Sequence, residues 1–271
     1  MPELPEMENY RRLLSQLIVG KPITHVTVNR SKSINMPDSE FIYRIVNHRL
    51  TQIARRAKHL LFQLDTGETL VLHLMLGGWM HLGSDADKPD RNTQVEFEFN
   101  RSEKLYFIGL RLGYLHVYTP SELQEALGDL GPEPLSPEFT LQRFQEMVAQ
   151  KKGVLKSQLV NQQWIAGIGN CYSDEICYDA GVKPIRKISE LTEQEIRQLY
   201  ASIHHVLTNA IRIGGYMEDP LYVGDTLTGT YNHHCLVYDR GGESCFRCGG
   251  TIVLDRSVAS RKTFYCPDCQ R

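Results

Sequence analysis

Apolar residues recur at helical spacing over the first eighteen positions, with Leu4, Met7, Leu14, Leu17 and Ile18 on one face. The pattern predicts an amphipathic helix over 4–18, stopped by Gly20-Lys21-Pro22. The period then shortens. Strand-like runs follow at 23–28, 60–64, 69–76, 95–99, 105–108 and 114–118, parted by turn residues such as Asp65-Thr66-Gly67 and Asn100-Arg101-Ser102. Several short strands at this spacing predict a β-sandwich or barrel. The polar stretch 85–93 reads as a surface loop.

Around Leu127-Gly128-Asp129-Leu130-Gly131-Pro132-Glu133-Pro134 glycine and proline accumulate, and the strand pattern stops. A domain boundary is expected there. Helical patterns occupy 141–150, 155–161, 168–180 and 192–213, the last opening on Thr192 with Glu195 three residues on, a capping box. Gly214-Gly215 ends it, and 216–244 reads as a long polar and aromatic loop. The predicted organisation is therefore 1–130, 131–215, 216–244 and 245–271.

Composition narrows the class. The 271 residues suit one large or two medium domains, and the net charge of −2 argues against a uniformly basic nucleic-acid binder but not against a basic face. No apolar run reaches the roughly 18 residues of a membrane span, and the acidic start has no signal-peptide pattern. A soluble intracellular protein is expected. Of seven cysteines, four stand as Cys245-x2-Cys248-x17-Cys266-x2-Cys269, a spacing that wraps four thiolates around one structural zinc ion. All four positions are filled by protein, so the metal is not catalytic. Segments 251–254 and 263–265 read as hairpin arms between the knuckles. From 245 to 271 there are five basic residues (Arg247, Arg256, Arg261, Lys262, Arg271) and two acids (Asp255, Asp268), a local charge of +3. Such a hairpin either follows a phosphate backbone or is a solvated tip.

Candidate chemistry sits at the start, Met1-Pro2-Glu3-Leu4-Pro5-Glu6. Methionine followed by proline is normally removed, which leaves Pro2 with a terminal secondary amine. An α-amino group titrates near 7.7–8.0, so a neutral, nucleophilic fraction exists near pH 7 and can form an iminium ion with a sugar carbon. A retained Met1 would block this. Glu3 and Glu6 also fit an ordinary helix start. Gly167-Ile168-Gly169-Asn170 precedes a helix and could admit a phosphate or be a turn and cap. Lys151, Lys152 and Lys156 lie upstream, on what could be a solvated face. Lys58, in Arg55-Arg56-Ala57-Lys58-His59, could face a cleft or solvent. His73, in an apolar run, reads by itself as a core histidine, and Cys171, Cys177 and Cys235 as small buried residues.

Taken together, the chain resembles the formamidopyrimidine-DNA glycosylase / endonuclease VIII family. The resemblance rests on Pro2-Glu3-Leu4-Pro5-Glu6, Arg55-Arg56-Ala57-Lys58, Leu130-Gly131-Pro132-Glu133-Pro134-Leu135, Gly167-Ile168-Gly169-Asn170 and Arg261-Lys262-Thr263-Phe264-Tyr265-Cys266. Leu4 favours the formamidopyrimidine branch. The resemblance implies an α+β fold: an N-terminal β-sandwich flanked by helices, then a C-terminal helix-two-turn-helix domain with a zinc-finger β-hairpin. It implies a monomeric, cytoplasmic, nucleoid-associated enzyme acting on damaged double-stranded DNA, a glycosylase with strand-cleaving lyase activity. Pro2 would attack C1′ of a flipped nucleotide and Glu3 would help protonate the sugar, with Lys58 and Arg261 completing the catalytic set. Glu6, His73, Leu76, Arg111, Asn170, Lys156 and Lys262 would contact DNA. Two departures stand out. The family's intercalating Met falls on Leu76. Its cytosine-reading Arg and wedging Phe fall on Leu110 and Leu112. Bidentate base contacts discriminate by about 1–3 kcal/mol, so opposite-base selectivity is expected to be weak. The loop 216–230, which in the family closes over the lesion, also diverges. These departures leave a non-catalytic damaged-DNA-binding zinc protein of the same fold as the alternative.

Overall fold

A computed structural model describes residues 1–100, 102–258 and 261–271. The chain divides into two compact units, Met1–Asp129 with Ile213–Thr230, and Leu130–Arg212 with Tyr231–Arg271.

In the first unit α1 (Leu4–Leu17) leads into two four-stranded antiparallel sheets. One has the order β1 (His25–Val28), β6 (Thr93–Asn100), β7 (Glu103–Ile108), β5 (Trp79–Gly83). The other runs β2 (Leu50–Arg56), β3 (His59–Leu64), β4 (Thr69–His73), β8 (Tyr114–Tyr118). Inward residues of both sheets share one core, Phe97 and Phe107 from the first with Phe62, Leu72 and Val117 from the second. Phe62 meets Phe107 edge-on at 6.3 Å between centroids. This is the expected sandwich, and α1 seals it with Met7, Tyr10 and Leu14.

Some elements escape the apolar pattern. β2 sets polar Thr51 and Gln52 side by side and ends on Arg55-Arg56, and β5 is buried on both faces, so neither alternates cleanly. Two eight-residue helices, α2 (Asp38–Ile45) and α3 (Pro120–Leu127), are too short for a periodic signal, although Thr119 and Glu122 form a capping box that starts α3. β4 ends at His73, short of the predicted 76, because Met75 (φ 55°) and Gly77 (φ 79°) turn the backbone left-handed, where no ladder continues.

The second unit packs α4 (Leu141–Ala149), α5 (Leu155–Leu159), α6 (Asn170–Asp179) and α7 (Glu193–Arg212). Thr192 and Glu195 cap α7 as the sequence predicts. The stacked rings of Phe139 and Tyr200 lie at 5.9 Å. The hairpin β9 (Val253–Asp255) and β10 (Thr263–Tyr265) completes it, its first arm starting two residues later than predicted. Thr251 instead bridges to Ser244. Among the described residues, no helix is long and apolar enough to cross a membrane.

Candidate active site and metal centre

In the first unit, Pro2 and Glu3 are buried just ahead of α1. Glu3 is extended (φ −112°, ψ −169°) and caps the helix, with proline in the first turn, where an N–H would have no partner. Glu6 reaches back to the Glu3 backbone N–H at 2.7 Å, and its other oxygen accepts the Tyr216 N–H at 2.9 Å. Glu6 is 2 % exposed. Two backbone amides hold its carboxylate, which fixes the entry of the chain. Gly215 takes a left-handed φ of 74° that favours glycine, and a Cβ there would also push against Glu6 Oε1.

Lys58 lies in a two-residue hairpin turn between β2 and β3, where Arg56 pairs with His59. Ala57 takes a positive φ of 53°. Arg55 holds the turn by donating to the Ala57 carbonyl at 3.0 Å, while its Nε donates to Glu8 Oε2 at 3.1 Å. Lys58 is 5 % exposed, so the turn aims it inward rather than at open solvent. His73 stands opposite His59 in the ladder, with ring centroids 4.3 Å apart. Burial, then the neighbouring His59 and Lys58, push the His73 imidazole down to about 3. It is therefore neutral at pH 7 in the free protein and can offer a phosphate only a neutral N–H.

Leu76 and Leu112 are the exposed tips of two loops, 67 % and 64 % accessible. They border a groove of about 770 Å³ that Arg30, Arg91 and Arg111 also line. Arg111 is exposed. Leu110 is fully buried in the sandwich core. Its N–H goes to Gln94 and its carbonyl to Ser33 Oγ, at 2.9 and 3.1 Å. This position carries no polar side chain, and its backbone bonds hold the Leu112 loop in place.

In the second unit α6 opens on Asn170 after an extended Gly169. The buried Asn170 Oδ1 has no hydrogen-bond partner among the described residues, at a helix end that attracts anions. Lys156 behaves otherwise than expected. It is fully buried, and its ammonium donates to both Asp174 oxygens and to the Lys262 carbonyl, each at 2.7 Å. All three N–H bonds are used, so Lys156 is neither on a solvated face nor a DNA contact; it is a structural ion. Asp174 also accepts the Phe264 N–H at 3.0 Å. Burial raises the Asp174 carboxyl, opposed by Lys156 and that N–H. Its neighbour Glu175, likewise raised by burial, accepts the backbone N–H groups of Leu236, Val237 and Tyr238. Spacing did not single out this acid pair. The available signal was weak, two adjacent acids among the cysteine, tyrosine and isoleucine residues of α6.

Lys156 and Asp174 thus hold the chain at Lys262–Phe264, and the exposed Arg261 and Lys262 project beside it. Lys262 approaches Asp239 at 3.6 Å. At the other end of the hairpin, Cys245, Cys248, Cys266 and Cys269 bring four sulfurs within 4.8 Å of one another. The Cys245–Cys269 and Cys248–Cys266 sulfurs are 3.7 and 3.5 Å apart. A tetrahedron with metal–sulfur bonds of about 2.3 Å has edges of about 3.8 Å, so the four thiols fit one tetrahedral ion.

These features define a class: a β-sandwich led by a capped proline–glutamate start, and a helical unit closed by a four-cysteine hairpin. A family model described as the formamidopyrimidine-DNA glycosylase N-terminal domain matches residues 1–114, and one described as the H2TH domain of the same glycosylase matches 130–219. The chain belongs to the formamidopyrimidine-DNA glycosylase family. It is 35 % identical to the formamidopyrimidine-DNA glycosylase of Listeria innocua over the whole of both chains. It is also 35 % identical to that of Pelotomaculum thermopropionicum, covering all of this chain and 99 % of the relative. Among solved structures it resembles the Lactococcus lactis Fpg in complex with abasic-site DNA (28 % identity, TM-score 0.91, 99 % of each chain). It resembles equally the same enzyme with N7-benzyl-Fapy-dG DNA (29 %, TM-score 0.91, all of each chain).

Proposed function

We propose that this chain repairs oxidised or ring-opened bases in double-stranded DNA through a Schiff base at Pro2. Family membership makes it a base-excision-repair DNA glycosylase with lyase activity on abasic sites, and a purely DNA-binding role is not favoured. The observation that carries the residue assignment is the buried Pro2-Glu3 start, held rigid by Glu6.

Once Met1 is removed, the neutral Pro2 nitrogen attacks C1′ and the glycosidic bond breaks toward the base. The proton released from the nitrogen neutralises the departing base, and C1′–O4′ opens as the iminium forms, with Glu3 supplying the proton to O4′. The iminium acidifies the 2′ hydrogen, so loss of that proton expels the 3′ phosphate and a second elimination expels the 5′ phosphate. Lys58, His73, Asn170 and Arg261 hold the phosphates, and Leu76 and Leu112 fill the space of the flipped nucleotide. Lys262 and Arg111 add backbone contacts. The four thiolates hold one structural zinc ion that stiffens the hairpin. The enzyme acts as a monomer in the nucleoid-containing cytoplasm.

The test is incision of duplexes carrying formamidopyrimidine, 8-oxoguanine, dihydrouracil or an abasic site opposite each base. With Leu110 buried, rates are expected to differ less than about fivefold among the four opposite bases, below the 1–3 kcal/mol of one bidentate contact. Incision of none of these duplexes by protein lacking Met1 would end the proposal. Strong selectivity for cytosine would show that another group reads the opposite base. Chelation of the metal is expected to abolish DNA binding while the sandwich unit keeps its own unfolding transition. Full binding after verified metal loss would remove the hairpin from the DNA contacts.

A further inference from the structure

The segment Ile213–Thr230 belongs to the same unit as α1 and is tied across its start. Glu6 holds the Tyr216 N–H, Asn9 Nδ2 donates to Thr228 Oγ1 at 2.8 Å, and Tyr10 Oη donates to the Asp219 carbonyl at 3.1 Å. The Leu82 N–H donates to the Leu221 carbonyl at 2.6 Å. Burial raises the Asp219 carboxyl, and the charges of Arg91 and of the N-terminus pull it back, which agrees with a strap lying close to the terminal amine. The strap carries Tyr216, whose hydroxyl donates to the Met1 carbonyl at 3.0 Å and accepts from the Met1 amine at 3.4 Å. Removal of Met1 deletes both of these groups. By bond lengths alone the phenol oxygen then stands within about 5 Å of the Pro2 nitrogen, with a methionine-sized space beside it and its backbone still fixed by Glu6.

We propose that Tyr216 is a positioning residue that accepts the single N–H of the mature Pro2 amine and thereby aims its lone pair. This rests on Pro2 being the nucleophile. A neutral pyrrolidine nitrogen has one N–H and one lone pair, so holding the first in place orients the second. A primary amine, with two N–H groups, is not oriented by one acceptor. The benefit is one of alignment, the kind of effect that a misplacement of an ångström loses.

The experiment uses full-length protein whose intact mass shows Met1 removed. Single-turnover borohydride trapping on saturating abasic-site duplex is compared for parent, Tyr216→Phe and Pro2→Gly, alongside equilibrium binding of the same duplex. Tyr216→Phe keeps the ring and its packing. It is expected to trap about tenfold more slowly with affinity changed less than twofold. A parental trapping rate would overturn the proposal, as would equal losses in rate and affinity, which mark a packing role only. Pro2→Gly trapping at the parental rate would overturn the nucleophile itself, an outcome distinct from failure of the tyrosine.

Discussion

Replacing Pro2 by glycine is expected to slow trapping of abasic-site DNA by roughly 10³-fold, about 4 kcal/mol of transition-state stabilisation. The variant still loses Met1 and still ends in an amine, so the effect measures the pyrrolidine rather than the mere presence of nitrogen. Its ring prevents free rotation about the N–Cα bond and leaves a single N–H on the neutral nitrogen. Glu3 stays extended and Glu6 still holds its backbone N–H, because these bonds involve no atom of Pro2. Affinity for abasic DNA should therefore remain close to parental, and the loss should fall on the covalent step. A companion form that retains Met1 should be inert in trapping, since its Pro2 nitrogen is an amide. Undiminished trapping by both variants would place the nucleophile elsewhere in the chain.

The second large effect is structural. Lys156→Ala should destabilise the second unit by about 3–5 kcal/mol, because it leaves the Asp174 carboxylate buried without its counter-ion. The Lys262 carbonyl loses its donor in the same step. The chain at Lys262–Phe264 should loosen and DNA binding weaken, although Lys156 itself touches no DNA. Removing both charges, Lys156→Met with Asp174→Leu, should restore much of the stability, since no buried charge is then left unpaired. Urea melts of the two variants decide it. Equal midpoints for the single variant and the parent would mean that the buried pair contributes nothing. A double variant less stable than Lys156→Ala would mean that backbone anchoring outweighs desolvation.

Much of the molecule was legible in the chain. Helix caps are local events over three or four residues, so Glu195 behind Thr192 could be read directly. A four-cysteine site needs two tight knuckles and a hairpin, and that geometry is written in the spacing. Several short strand-like runs parted by turn residues announced a sandwich or barrel, since apolar stretches must pack on one another. Elements without alternation, β2 and β5, stayed silent.

Other features were decided only by the tertiary structure. A lysine has the same letter whether it is solvated or buried. Lys156 became a structural ion because Asp174, 18 residues away, and the Lys262 carbonyl, 106 residues away, meet it in a desolvated place. Arg55 orients the Lys58 turn through Glu8, 47 residues earlier, and Tyr216 reaches the chain start across 215 residues. Leu110 and Leu112, two positions apart, end in the core and in solvent. Local sequence determines which residues can cap, turn or ligate. Which charges lose their water and which distant backbone groups satisfy them depends on how the chain closes on itself, and spacing alone does not encode that.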